Sequence, residues 1–289
     1  MSEYDLGGRT AIVTGGGRGI GRAMVEALIE SGANVLAAAH IAEDFPELEA
    51  ACASGPGRLE TLVANIQKVE DCDRIVATAL EKFGAIHALV NNAGLTFTYI
   101  YPGMFRRPEW TEHQRFPVFY EATDEIVENV ITTNFLGADR LARRVAPLMV
   151  EQGWGRIVNV TTMYNTMTRQ GSSPYGSSKA ALECASEIWS KDLEGTGVTV
   201  NILNPGAGAA TPGLAQEVID RGRRGEIPLA EPEMFKAPIV WLLSNATDGI
   251  NGMRYDAIAW DAGKPAAEVG AATGAKAGVL LYSMPQYKA

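Results

Sequence analysis

The sequence predicts a three-layer α/β domain built around a doubly wound parallel sheet. Between residues 10 and 203, short apolar runs take turns with longer segments of helical periodicity. The apolar runs do not alternate with polar residues, as is typical of parallel strands covered by helices on both faces. Right-handed crossovers between such strands produce a doubly wound sheet. No long polar linker interrupts the series, so we predict a single domain over residues 1–263, followed by a tail over 264–289.

The elements follow from periodicity and from glycine breaks along the chain. We expect strands at residues 10–14, 34–39, 59–64, 88–91, 156–160 and 198–203, and helices at 22–30, 71–83, 124–150 and 174–193.

Two segments depart from this pattern. Residues 95–122 form a long insertion with eight aromatic side chains, where a short connection would suffice. Long loops in compact domains are commonly lids or binding loops, and an aromatic cluster packed on the domain or a neighbouring subunit is the alternative. The tail from Lys264 is rich in Ala and Gly; we expect a frayed end, with docking near the site or on a subunit as the alternative.

Composition excludes several functional classes. The 289 residues are 46% apolar and 20% charged, with a net charge of −9, which disfavours nucleic acids and anionic membranes as partners. Three cysteines without CxxC spacing and three histidines predict neither a disulfide scaffold nor a zinc site. With no signal-peptide pattern at the start and no apolar run approaching ~18 residues, we expect a cytoplasmic protein.

A glycine-rich turn follows the first strand. Gly15, Gly19 and Gly21 are spaced G-x-x-x-G-x-G where the chain passes from strand to helix. Glycine permits a sharp turn and lets a pyrophosphate approach the helix N-terminus, whose free N–H groups and dipole favour an anion. A plain tight turn is the alternative.

Tyr175 and Lys179 are four residues apart on a predicted helix and therefore share one face. An ammonium group beside a phenol stabilises the phenolate and lowers the phenol pKa from ~10 toward working pH. The pair is thus a candidate general acid/base, with an exposed helix pair as the bland alternative.

Taken together, these features resemble the short-chain dehydrogenase/reductase family in its compact, non-extended branch. The resemblance covers about residues 7–263 and rests on motifs in this order: the glycine turn Thr14–Gly21, the run Asn91-Asn92-Ala93-Gly94, Asn134, Thr162, Tyr175-Gly176-Ser177-Ser178-Lys179 and Asn204-Pro205-Gly206.

The resemblance implies a Rossmann-like sheet of seven strands and a set of catalytic roles. Tyr175 would exchange a proton with the substrate oxygen, and Lys179 would bind the nicotinamide ribose and depress the Tyr175 pKa. Asn134 would hold a water that links Lys179 to solvent. Thr162 stands where the family has its catalytic serine; its hydroxyl can still donate, although the additional methyl restricts its rotamer.

The resemblance also implies a set of cofactor-binding residues. They are Gly15, Gly17, Arg18, Gly19, Ile20, Gly21, Ala39, His40, Asn65, Ile66, Asn92, Ala93, Gly94, Tyr175, Lys179, Pro205, Gly206 and Thr211.

The second strand bears on the choice between NAD and NADP. Ala39 occupies the position where an acidic residue would select NAD, and His40 follows it. With Arg18 in the glycine turn, we favour NADP(H), while Glu43 and Asp44 leave NAD(H) open. Asn65 and Ile66 occupy the position that touches adenine, with a turn residue as the alternative for Asn65.

The implied activity is hydride transfer between a nicotinamide and a secondary alcohol or its ketone. The aromatic loop suggests a hydrophobic or cyclic substrate, whereas Arg106, Arg107, His113 and Arg115 in the same loop suggest an acidic group. The alternative functions are a lyase or epimerase, or a non-enzymatic dinucleotide-binding protein. The helices at 124–150 and 174–193 resemble those that pair subunits in the family, so we expect a homodimer or homotetramer.

Overall fold

A computed structural model describes residues 4–102 and 118–278. Its strands are β1 (Thr10–Thr14), β2 (Asn34–Ala39), β3 (Leu59–Val63), β4 (Ala88–Asn91), β5 (Gly155–Asn159), β6 (Val198–Asn204), β7 (Gly208–Ala209), β8 (Leu229–Ala230), β9 (Met253–Asp256) and β10 (Ala275–Lys276). Each predicted strand is confirmed to within one residue at either end.

The main sheet has eight strands in the order β10-β9-β6-β5-β4-β1-β2-β3. All neighbouring pairs are parallel except β10 and β9, which are antiparallel. The prediction of seven strands was therefore wrong by one, because two residues of the C-terminal tail add an edge strand. β7 and β8 form a separate two-stranded parallel ribbon.

Helices flank the main sheet. They are α1 (Gly19–Glu30), α2 (Phe45–Cys52), α3 (Val69–Phe83), α4 (Phe97–Ile100), α5 (Asp124–Ile131), α6 (Gly137–Glu151), α7 (Tyr164–Thr168), α8 (Tyr175–Asp192), α9 (Gln216–Arg223), α10 (Lys236–Leu242) and α11 (Ala266–Thr273). Among the described residues, none of these helices combines the length and apolarity needed to cross a membrane.

The apolar strands are buried on both faces, as the lack of alternation predicts. In β1, Val13 packs into a core with α1, α10 and α11, while its neighbour Ile12 packs into a second core with α3 and α6. Both side chains are fully buried. The two cores fix the sheet between two helical layers and leave the carboxyl ends of the strands free to carry a site.

The predicted helix over 124–150 is interrupted. A π-helical turn, Thr132–Leu136, joins α5 to α6, and Asn134 lies inside it. Single π turns insert an extra residue into an α-helix and are frequent at functional sites. Helical periodicity in the sequence does not distinguish such a turn from regular helix.

The tail and the aromatic insertion also differ from expectation. Residues 264–278 are not frayed, because α11 packs into the core through Val269 and β10 pairs with β9. The aromatic insertion begins with the short helix α4 and ends with a 3-10 turn, Phe119–Glu121. Its central residues 103–117, which include Arg106, Arg107, His113 and Arg115, lie outside the described residues, as do 279–289.

Candidate active site

A cleft of about 480 Å³ opens at the carboxyl ends of the central strands. This is where open α/β sheets bind their ligands. Most of the predicted cofactor-binding residues line it: Gly15, Gly17, Arg18, Gly19, Ile20, Gly21, Ala39, His40, Asn65, Ile66, Asn92, Ala93, Gly94, Tyr175, Lys179, Pro205 and Thr211. The predicted residues Gly206, Asn134 and Thr162 do not line this cleft.

The glycine turn is held in place by main-chain and amide contacts. The Gly15 N–H donates to the Ala38 carbonyl at 2.7 Å. Asn92 Nδ2 donates to the carbonyls of Thr14 at 3.0 Å and Gly15 at 3.2 Å. The run that follows β4 therefore fixes the turn that follows β1, which brings two sequence motifs to one wall of the cleft.

The same turn fits a dinucleotide. Gly15 and Gly19 have φ of +63° and +55°, which favour glycine. A Cβ added at Gly21 would lie 2.0 Å from the Gly15 carbonyl oxygen, so the backbone there has no space for a side chain. The turn leads directly into the N-terminus of α1, where the free N–H groups favour an anion such as a pyrophosphate.

Tyr175 and Lys179 line the same cleft from the start of α8. The buried Thr162 lies beside Tyr175, and its side chain lowers the pKa of the Tyr175 phenol. The Lys179 Nζ donates to the Val160 carbonyl at 2.7 Å. The structure thus places three of the four predicted catalytic side chains together, while the fourth, Asn134, contacts Leu95 and Ser178.

The pKa values of this pair differ from the expectation. Burial raises the pKa of Tyr175, and the lowering contributions come from Thr162 and from the charge of Arg169. Burial lowers the pKa of Lys179 to about 8. The prediction that Lys179 depresses the Tyr175 pKa is therefore wrong, because burial has the largest effect on both groups and Lys179 is not among those that lower the Tyr175 pKa.

The Asn134 side chain hydrogen-bonds the main chain beside the cleft. Its Oδ1 accepts from the Leu95 N–H at 2.7 Å, and its Nδ2 donates to the Leu95 carbonyl and to Ser178 Oγ, both at 3.0 Å. The side chain therefore anchors the start of the aromatic insertion to α8. A Cβ on Gly94 would lie 3.3 Å from Asn134 Oδ1 and 3.5 Å from Lys179 Nζ, which shows how closely these segments approach.

The adenosine end of the cleft carries a charged pair. Arg18 Nε lies 3.6 Å from Asp44 Oδ2, and both residues line the cleft near Ala39 and His40. Asn65 Oδ1 accepts from the Gln67 N–H at 3.0 Å, so the alternative of a turn residue describes this side chain.

Other contacts at the site escaped sequence reasoning. The hydroxyls of Thr96 and Thr98 donate to the Gly213 carbonyl at 2.7 and 3.0 Å, which ties the start of the insertion to the segment after Thr211. The Phe97 ring packs on Tyr175 with centroids 4.9 Å apart, and the Arg169 guanidinium lies 5.2 Å from the Phe97 centroid. No local pattern marks these residues, because each contact joins segments that are distant in sequence.

Gly206 supports the site from outside the cleft. Its φ is +71°, and its N–H is bonded to Asn204 Oδ1 at 2.9 Å. A Cβ there would lie 2.8 Å from atoms of Asp256 and Ile258, so the glycine permits close packing against the end of β9 and the turn that follows it. Pro205 and Thr211 on either side reach the cleft.

Comparison with known proteins decides the family. The family described as short chain dehydrogenase matches residues 9–221. The chain belongs to the short-chain dehydrogenase family. The resemblance drawn from the motifs is thereby confirmed, together with the Rossmann-like fold, and the protein is an NAD(P)-dependent oxidoreductase that acts on a small molecule.

Several members of the short-chain dehydrogenase family are similar over most of this chain. A 3-oxoacyl-[acyl-carrier-protein] reductase from Thermotoga maritima is 27% identical, covering 86% of this chain and 95% of its own. An NADPH-dependent aldehyde reductase-like chloroplastic protein from Arabidopsis thaliana is 29% identical, covering 86% and 92%. The crystal structure of a putative NAD(P) dependent gluconate 5-dehydrogenase from Beutenbergia cavernae, with NADP bound at low occupancy, is 30% identical with a TM-score of 0.73, covering 88% and 96%.

Proposed function

We propose that this protein interconverts a ketone and a secondary alcohol, with Tyr175 as the general acid/base and NADP(H) as the preferred cofactor. The observation that carries the proposal is that Tyr175 and Lys179 line the same cleft as the glycine turn, with the Thr162 side chain close enough to lower the Tyr175 pKa. A phenol and a second hydroxyl side by side can donate together to one carbonyl oxygen.

Tyr175 supplies the proton in the direction of reduction. Because burial raises its pKa, the phenol carries its proton at neutral pH and can donate it to the carbonyl oxygen of a ketone. Thr162 donates a hydrogen bond to the same oxygen as negative charge develops there. Asn134 Oδ1 and Lys179 Nζ both approach Gly94, and Asn134 is the residue we propose to hold the water that returns a proton to this pair.

The cofactor is held by the residues that line the cleft. The main chain of the glycine turn binds the pyrophosphate, and Lys179 binds the ribose on the nicotinamide side. Pro205, Gly206 and Thr211 bind or support the carboxamide end. When bound, the nicotinamide supplies the hydride that the protein cannot.

The adenosine end favours NADP(H) because Ala39, at the end of β2, has no carboxylate. A carboxylate at that position would repel the 2′-phosphate of NADP and bond the free hydroxyl of NAD. Arg18 faces the same space, although Asp44 offsets part of its charge. NAD(H) remains the alternative that Asp44 supports.

We propose a hydrophobic or cyclic substrate, because Phe97 forms an apolar surface against Tyr175. A specific observation favours a second candidate, a ketone that also bears an anionic group. The Arg169 guanidinium lies 5.2 Å from the centroid of the Phe97 ring, and among the described residues it has no carboxylate partner within 4.0 Å. The names of the relatives mention an acyl chain, an aldehyde and a sugar acid, so they do not single out either candidate.

The test is turnover with a panel of ring and linear ketones, each as a neutral compound and as its carboxylated analogue, with NADPH and NADH. We expect loss of near-ultraviolet absorbance of the reduced nicotinamide, faster with NADPH. The hydrophobic candidate predicts preference for neutral rings. The anionic candidate predicts preference for the carboxylated analogue, which Arg169→Gln abolishes. Absence of turnover with every ketone would overturn the proposed function.

We also propose a homodimer or homotetramer. Exposed apolar side chains lie on the two helical segments expected to pair subunits: Val127 on α5, Val150 on α6 and Ile188 on α8. Light scattering coupled to size exclusion would measure the mass directly, and a monomeric mass would contradict the proposal.

A further inference from the structure

A buried ion pair lies directly behind the segment that carries Thr162. Glu183 stands on α8 two turns after Tyr175, and Arg254 stands on β9. Their side chains are 2% and 6% exposed, and Arg254 Nη1 donates to Glu183 Oε1 at 3.0 Å. Neither residue takes part in the mechanism proposed above.

The pair holds the segment that joins β5 to α7. Glu183 accepts from Thr161 Oγ1 at 3.0 Å and from the Tyr164 hydroxyl at 3.1 Å. Arg254 Nη2 donates to the Thr162 carbonyl at 3.2 Å. Residues 161–163 lie outside any helix or strand. The side chains of Glu183 and Arg254 therefore supply hydrogen bonds that a strand would receive from neighbouring strands.

The C-terminal segment completes the same cluster. The Gly278 N–H donates to Glu183 Oε1 at 3.3 Å, and β10 pairs with β9 at Arg254 itself. The Arg254 guanidinium also lies 4.0 Å from the centroid of the Tyr164 ring. Burial and the Glu183 carboxylate raise the pKa of Tyr164 to about 12, so this phenol remains a hydrogen-bond donor.

A cluster of this kind is poorly explained by stability alone. Burying two charges costs desolvation free energy that their mutual attraction does little more than offset. Apolar residues at the same positions often give a protein of equal stability. A geometric requirement explains it better. Thr162 is β-branched, so its χ1 is restricted and the position of its hydroxyl follows the position of its backbone. Its carbonyl is the atom that Arg254 holds.

We propose that Glu183 and Arg254 are positioning residues that fix the backbone at Thr162, so that its hydroxyl meets the Tyr175 phenol. The inference rests on the proposed function, because it assigns Thr162 a catalytic hydroxyl. If this is so, catalysis also depends on β9 and on the C-terminal residues packed against it. These elements lie outside the glycine turn and the Tyr175–Lys179 motif.

The chain offers a matched control. Arg156, 1% exposed, pairs with Asp248 and lies 4.1 Å from the centroid of the Trp154 ring. It therefore has a carboxylate and an aromatic partner, as Arg254 does. It stands at the start of β5, at the opposite end of the strand from Thr162. Replacing it removes a buried guanidinium without touching the proposed site.

The experiment is a double-mutant cycle on kcat with saturating ketone and NADPH. Arg254→Met and Thr162→Val are made singly and together, with Arg156→Met as the control and Tm measured for all. Turnover by the wild type and its loss in Tyr175→Phe establish the proposed function first, so its failure is distinct from failure of the positioning role. Cofactor Kd is measured by fluorescence titration.

We expect Thr162→Val to lower kcat about 100-fold, the scale of one lost oxyanion donor. Arg254→Met should lower kcat about 10-fold with unchanged cofactor Kd, and should have no further effect in the Thr162→Val background. Arg156→Met should lower Tm by as much as Arg254→Met does, while its kcat stays within about twofold of the wild-type value. If Arg254→Met fails to fold, Arg254→Lys and Glu183→Gln replace it, each with the same expected dependence on Thr162.

Three results would overturn the positioning role. One is a wild-type kcat in the folded Arg254 and Glu183 variants. Another is an effect of equal size with and without the Thr162 hydroxyl. The third is a loss of kcat in Arg156→Met that matches the loss in Arg254→Met.

Discussion

The two sides of the cleft are built in different ways. On the side of β1 and β2, the site is main chain: a glycine turn whose N–H and carbonyl groups are bonded to neighbouring strands. On the side of β5 and α8, the site consists of side chains: Tyr175 is half-buried, and the buried Lys179 donates to the Val160 carbonyl. The first side has the features of a binding surface, and the second has the features of a chemical centre.

The difference has a consequence for how each side fails. A main-chain site is lost when the backbone has to move, so its sensitive positions are glycines. A side-chain site is lost when one atom is removed, while the fold around it can remain. Variants on the glycine side should therefore change mainly cofactor binding, and variants on the side of α8 should change mainly turnover.

The largest effect is expected for Tyr175→Phe. Removing the phenol oxygen removes the general acid and leaves the aromatic ring against Phe97. We expect kcat to fall by about 10³-fold, within the usual range for general acid–base catalysis. Cofactor Kd should stay within about twofold, as measured by fluorescence titration. Turnover close to that of the wild type would contradict the assignment of Tyr175.

The second prediction concerns pH and places the titration on the catalytic side. Burial lowers the pKa of Lys179 to about 8 from its ordinary value of 10.5. Between these values the unfolded chain binds more protons than the folded one, so stability should rise with pH. Below pH 8 the full cost of burying the ammonium is present. Relative to Lys179→Met, the free energy of unfolding of the wild type should rise by about 3 kcal/mol as the pH passes from the lower of these two pKa values to the higher.

Urea unfolding at a series of pH values from 7 to 10.5 measures this gain. The quantity to follow is the difference in unfolding free energy between the wild type and Lys179→Met, since the change at other titrating groups cancels. Lys82→Met removes an ammonium at the surface and serves as the control. A difference that is independent of pH would refute a buried lysine that titrates near 8.

The third prediction is for the main-chain side. In Gly21→Ala the new Cβ would lie 2.0 Å from the Gly15 carbonyl oxygen, so the turn must open. We expect cofactor Kd to rise about 10-fold or more, which is about 1.4 kcal/mol, with kcat at saturating cofactor within about threefold. Gly84→Ala is the control, because Gly84 has φ of +82° and open space around it. An unchanged Kd in folded Gly21→Ala would show that the turn does not hold the cofactor.

The same contrast explains how much the sequence could predict. The glycine turn and the Tyr175–Lys179 pair are local patterns, and the strands are short apolar runs, so all were found without coordinates. The contacts of Arg254 with Glu183 and Thr162 join residues 71 and 92 positions apart, and no local pattern contains them. The π turn at Asn134 and the docking of β10 depend on packing in the same way.

The Tyr175 pKa shows a different kind of gap. Spacing places an ammonium on the same helix face as a phenol, but it does not report how deeply either group is buried. Desolvation acts on both groups at once and raises the pKa of the phenol. The spacing therefore predicted a shift of the Tyr175 pKa in the wrong direction.

The smallest effects are expected at the adenosine end, where the charged groups are partly exposed. Arg18 and Asp44 are 49% and 22% exposed, so their influence is screened and of the order of 1 kcal/mol. Asp44→Asn should raise the ratio of kcat/KM for NADPH over NADH about fivefold, since it frees Arg18 and removes a charge that repels the 2′-phosphate. Arg18→Met should lower the ratio about fivefold. Arg22→Met, one turn along and paired with Glu26 and Glu47, should leave it unchanged. A wild-type ratio that strongly favours NADH would overturn the preference for NADP(H), and an unchanged or higher ratio in Arg18→Met would show that Arg18 does not attract the 2′-phosphate.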